Sequence, residues 1–101
     1  MLKVIKSVHD MNAIELRNPT PKQRQLIKSV IMNNWMDDIE YKLSQKAGAF
    51  LQCDYEDYIL VEFWRDDFQP LVDHLNSILD NWLEPIWTNI LDIECLKYGE
   101  N

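Results

Sequence analysis

An α+β domain is predicted by three features of the chain. Two segments rich in aromatic and branched residues, at 50–55 and 58–64, are separated by only two positions. Ile27, Ile31, Trp35, Ile39 and Leu43 recur every four residues, and a second helical stripe runs through Leu71, Leu75, Ile78, Leu79, Trp82 and Leu83. The 101 residues suit one core, so 1–101 is read as a single domain. The 47% apolar and 27% charged residues disfavour disordered, collagen-like and membrane-spanning classes.

Each element follows from local chemistry. Residues 2–8 and 13–17 carry aliphatic and β-branched side chains with partial alternation, and the polar His9-Asp10-Met11-Asn12 between them turns the chain, so a bent strand or hairpin is expected. Asn18-Pro19-Thr20-Pro21 stops it. Thr20 with Gln23 forms a capping-box pattern and Pro21 takes the first helical position, starting a helix expected to run to about Lys46 and to end at Gly48 in a left-handed turn. A hairpin is expected over 49–64, turning at Glu56-Asp57. Asp66 or Asp67 is expected to cap the next helix, with Pro70 in its first turn. Residues 86–98 fit either a helix after Pro85 or, by the alternation of Leu91 to Cys95, a strand; the strand is favoured. The expected order is βαββαβ, the ferredoxin-like pattern: a four-stranded antiparallel sheet with two helices on one face, Cys53 and Cys95 falling on opposite edge strands. A disulfide between them would refute this topology.

Several function classes are excluded or disfavoured by what the chain carries. Only Gly48 and Gly99 are present, so no glycine-rich phosphate loop exists. The two cysteines make no C-x-x-C spacing, His9 and His74 have no ligand partner at i+3 or i+4, and no metal or other cofactor is expected. Asp73-His74 is a poor acid–base pair, because adjacent helix positions point apart, and no Ser or Cys stands in a nucleophile context. A non-catalytic role follows as the expectation. The net charge of −7 repels nucleic acid and anionic membrane surfaces, so neither is an expected partner. No stretch approaches the roughly 18 uncharged apolar residues of a transmembrane helix, and Lys3 and Lys6 interrupt the first apolar run too early for a secretory signal; cytoplasmic residence is expected.

The charge is unevenly spread. Residues 1–28 hold six basic and two acidic groups, among them Lys22, Arg24 and Lys28 where a helix dipole prefers acids; the remainder holds four basic and fifteen acidic groups. Six carboxylates, Asp54, Glu56, Asp57, Glu62, Asp66 and Asp67, fall within fourteen positions, interleaved with Tyr55 and Tyr58. Placed on one surface, they would resemble a phosphate backbone and dock on a protein with a basic groove. The expected function is a small acidic protein-binding inhibitor of a nucleic-acid-processing or defence complex. The form this expectation takes is an anti-CRISPR-like protein or other nucleic-acid mimic encoded by a phage or mobile element. The alternatives are an immunity protein for a toxin nuclease, and a structural or regulatory subunit that homodimerises through a strand edge or an aromatic surface. Trp64 and Trp87 are the aromatic anchors such a contact would use.

Overall fold

The computed structural model describes residues 2–83, and in it the chain forms an antiparallel four-stranded sheet with three helices. The elements are β1 (Ile5–Lys6), β2 (Asn12–Arg17), α1 (Pro21–Ile31), α2 (Ile39–Ala47), β3 (Ala49–Tyr55), β4 (Tyr58–Phe63) and α3 (Gln69–Leu83). The strand order is β1-β2-β4-β3. Residues 2–17 make the expected hairpin: Ile5 pairs with Ala13, and Asp10 turns the chain at φ 59° while its N–H donates to the Ser7 carbonyl. The strand or helix expected over 86–98, with Cys95, lies outside the described residues. Within them the fourth strand of the sheet is β1.

β2 and β3 flank β4, each antiparallel to it, with the α1–α2 segment crossing over between them. The order of the described elements is ββααββα, so the expected ferredoxin-like βαββαβ order is not reproduced within these residues. Alternation along β4 sorts the side chains: Ile59, Val61 and Phe63 join Ile14 of β2 in the core, against Ile27 and Val30 of α1, Ala47 of α2, and Leu71, Val72, Leu75 and Leu79 of α3. Leu60 and Glu62 alternate onto the outer face, paired in register with Glu15 and Ala13. Burial of the inner face is what holds the helices on the sheet.

Three corrections to the sequence expectations emerge. The single helix over 21–46 is two helices, so three helices stand where two were expected. α1 starts as expected, with the reciprocal Thr20–Gln23 capping box, but ends with Met32 as its C-cap. The Asn33 side chain then accepts from the Trp35 N–H at 2.8 Å, and Asp38 caps α2 by accepting from Glu40 N–H at 2.8 Å. These local side-chain bonds outcompete helix continuation. In consequence Ile27 is core, but Trp35 and Ile39, on the same four-residue spacing, are exposed. The third correction is at α3, whose first bond runs from Val72 N–H to the Phe68 carbonyl, so neither Asp66 nor Asp67 is its cap. Gly48 ends α2 as expected, at φ 58° and ψ 44°.

One buried polar device ties the N-terminal segment to α3. Asn76, nearly buried, accepts from Leu2 N–H at 2.6 Å and donates to the Leu2 carbonyl at 3.2 Å, satisfying both backbone groups of a buried residue.

Candidate protein-binding surfaces

The six carboxylates are divided among three environments. A bulge between Leu51 and Cys53 is the cause of the first separation. Leu51 faces the core; without the extra residue Gln52, simple alternation would place Asp54 on the outer face. With it, Asp54 sits opposite Ile59, on the helix side of the sheet. There Lys28 Nζ lies 2.9 Å and Arg24 Nη2 3.2 Å from its two oxygens. Lys28, with Arg24 behind it, outweighs partial desolvation and holds the Asp54 carboxyl below its usual range. Because α1 ends at Ile31, Lys28 stands in its last turn, where the helix dipole favours a cation, and not at a helix start as the sequence suggested; together with Arg24 it clasps an acid of β3.

Glu62 is separated by burial. Only 1% exposed on the outer sheet face, its carboxylate meets His9 Nδ1 at 2.7 Å and the Ser7 hydroxyl. Burial pushes this carboxyl up, but the bonds from Ser7 and His9 and the charge of His9 outweigh it and hold the group below its usual range. An ionised carboxylate only accepts, so His9 Nδ1 carries the shared proton.

Glu56, Asp57, Asp66 and Asp67 are exposed, and among the described residues none of them has an ion-pair partner. They form two pairs, at opposite ends of β4. Five steps of about 3.4 Å separate the ends of that strand, so the pairs stand about 17 Å or more apart. Tyr55 is exposed beside Glu56, whereas the Tyr58 hydroxyl donates to Glu15 Oε1 at 2.8 Å across β2 and β4. That bond, with some desolvation, raises the Tyr58 phenol above its usual range. The Asp57 carbonyl accepts from Asn18 N–H, which fixes the hairpin tip to the end of β2.

Two residues of the expected apolar helical repeat, Trp35 and Ile39, lie on the surface. With Met32 and Met36, all in or beside the α1–α2 turn, they are 60–79% exposed. The signal that would have revealed them is the pair of Asx dipeptides, Asn33-Asn34 and Asp37-Asp38, each of which favours a turn or cap over helix interior. Trp64 is also exposed, its ring against Phe50 at 5.7 Å on the outer face; Trp87 lies outside the described residues.

His74 donates through Nε2 to Glu40 at 2.8 Å, while Asp73 accepts from Gln69, so Asp73 does not orient the imidazole. Among the described residues no group of three His, Cys, Asp or Glu side chains could hold a metal, and no helix is long and apolar enough to cross a membrane. Cys53 is a free, half-buried thiol on β3, which among the described residues is an edge strand of the sheet. Compared with known proteins, the chain matches no family model, no curated protein and no solved structure.

Proposed function

We propose that this chain is a non-catalytic inhibitor that binds the basic surface of a nucleic-acid-processing protein and does not itself contact nucleic acid. The observation that carries this reading is the β3–β4 tip, where Tyr55, Glu56 and Asp57 project with no intramolecular cation on either carboxylate among the described residues. Unpaired carboxylates beside an aromatic ring suit an Arg-rich surface. Asp66 and Asp67 supply a second anionic point beyond the far end of β4, and two such points suit a basic groove better than a single cation. Asp54, paired with Lys28 and Arg24, and the buried Glu62, bonded to His9, act in this reading by shaping the sheet and not by docking. An anti-CRISPR-like inhibitor encoded by a phage or other mobile element and an immunity protein against a toxin nuclease share this chemistry; the identity of the captured partner separates them.

The test is capture from cell lysate with the tagged full chain at low and high salt, with mass spectrometry of what is retained. A basic, nucleic-acid-binding protein released by high salt is expected, and the Glu56→Gln/Asp57→Asn variant should lose it. Undiminished capture by that variant overturns the reading.

A second reading, a homodimerising subunit, is favoured by one feature: β3 pairs only with β4 among the described residues, leaving a seven-residue edge. A solution mass of one chain at micromolar concentration would count against it.

A further inference from the structure

The α1–α2 turn presents large apolar side chains at Met32, Trp35, Met36 and Ile39 within eight positions of chain. Taking roughly 200 Å² for a fully exposed large side chain, these four leave about 550 Å² of side-chain surface in water, at the top of the range for the largest patch of a soluble monomer. The turn is held in place by the Trp35 N–H bond to Asn33 and by Asp38 N–H donating to the Trp35 carbonyl at 2.9 Å, so the exposure is built into an ordered segment. Two methionines and a tryptophan give the patch both an adaptable and a rigid element, the combination that accommodates the apolar stripe of a helix.

The charge around the patch selects the occupant. Asp37 is exposed, Asp38 and Glu40 are half-buried at the start of α2, and no Lys or Arg occurs between Met32 and Glu40. Lys28 lines a groove with Met32 but is held by Asp54 at 2.9 Å, and His74 lies against Glu40, so Asp37 is the exposed acid at this rim. A second copy of the chain is a poor partner, because a two-fold interface would set these acids against their own counterparts. The area is also below the roughly 800 Å² per partner of a standard stable interface. An amphipathic helix with a Lys/Arg face meets both conditions: its apolar stripe covers the patch and its cations meet Asp37 and its neighbours.

We infer that the α1–α2 turn, through Met32, Trp35, Met36 and Ile39 with Asp37 at the rim, is a docking site for a basic amphipathic helix of a partner protein. This surface is separate from the β3–β4 tip, so the two sites are tested by different variants.

The probe is a synthetic helical peptide with Leu at heptad a and d positions and Lys elsewhere, titrated into the ¹⁵N-labelled full chain, with a Glu-for-Lys peptide as the counterpart. Expected are shifts centred on the Trp35 indole and residues 32–40, binding by the Lys peptide at least about tenfold tighter than by the Glu peptide, and at least a tenfold loss in Trp35→Ala. Asp37→Lys should weaken the Lys peptide and strengthen the Glu peptide, a reversal that unfolding cannot produce. Absence of binding, equal affinity for both peptides, or shifts centred on residues 54–58 with Trp35→Ala unaffected each overturns the inference. Glu56→Gln/Asp57→Asn should leave peptide binding unchanged, which separates this site from the hairpin tip.

Discussion

Replacing Gly48 with Ala should be among the costliest single-methyl additions in this protein. Gly48 holds φ at +58°, where an L-residue with a Cβ pays about 1–2 kcal/mol. The added Cβ would also stand 3.0 Å from Trp64 Cβ, 3.2 Å from the Arg65 backbone nitrogen and 3.0 Å from Arg65 Cγ. Arg65 Cγ lies near the base of a side chain whose guanidinium donates to the Gln45 carbonyl at 3.2 Å, and the other two atoms are anchored as well. They sit beside two backbone bonds, Trp64 N–H to the Gly48 carbonyl at 3.0 Å and Arg65 N–H to the Ala47 carbonyl at 3.1 Å, which join the end of α2 to the end of β4. Overpacking of this kind adds about 1–2 kcal/mol, for a total of about 2–4 kcal/mol. With a urea slope of about 1.5 kcal/mol/M for a chain of this length, the unfolding midpoint should fall by roughly 1.3–2.7 M. Gly48→Asn adds the same Cβ but tolerates the left-handed conformation, and should recover about 1 kcal/mol of the loss. A Gly48→Ala midpoint within about 0.3 M of the parent protein, about 0.5 kcal/mol, would refute both the conformational and the steric parts. Equal losses for Ala and Asn would refute the conformational part alone.

Three further outcomes are expected. Asn76→Ala leaves the buried N–H and carbonyl of Leu2 without partners; the expected loss is about 2–4 kcal/mol, seen as a melting temperature lower by roughly 10–20 °C in calorimetry. Because the Glu62 carboxyl is depressed in the folded state, its contribution is present above the ordinary value of 4.5 and is lost as pH falls through the depressed one. His9→Ala removes that support, so burial prevails and raises the carboxyl; the variant then loses stability as pH rises, and the gap to the parent in urea midpoints should widen from acid to neutral pH, a constant gap refuting the pairing. Glu15→Gln should bring the Tyr58 phenol down toward its ordinary value, read as an earlier phenolate step in the ultraviolet titration of the variant against the parent.

Much of the fold was legible from local chemistry. The Thr20–Gln23 box, the Gly48 stop, the 49–64 hairpin and the Leu71-Leu75-Leu79 stripe each rest on interactions within a few positions of chain, and each stands as its residues imply. The α1–α2 break was also encoded locally, in Asn33 and Asp38, but a four-residue apolar repeat running across it masked the turn. Periodicity reports which residues would share a face if the helix continued, and it carries no information on whether it does.

The candidate sites divide along the same line. Glu56 and Asp57 project from a hairpin tip because the turn is local, and Asp66 and Asp67 follow the strand that ends before them. Asp54 and Glu62 had fates that no local pattern could foretell. One residue of bulge moved Asp54 across the sheet to cations thirty and twenty-six positions away, and strand pairing buried Glu62 where the β1–β2 turn could bring Ser7 and His9 to it. Net charge, element boundaries and the hairpin tip were determined by the sequence itself, since they depend on residue type and near neighbours. Which acids stay free to meet a partner was decided by the tertiary structure alone, because neutralising a carboxylate requires a cation or donor within a few ångströms, and that distance is set by how the sheet and helices come together.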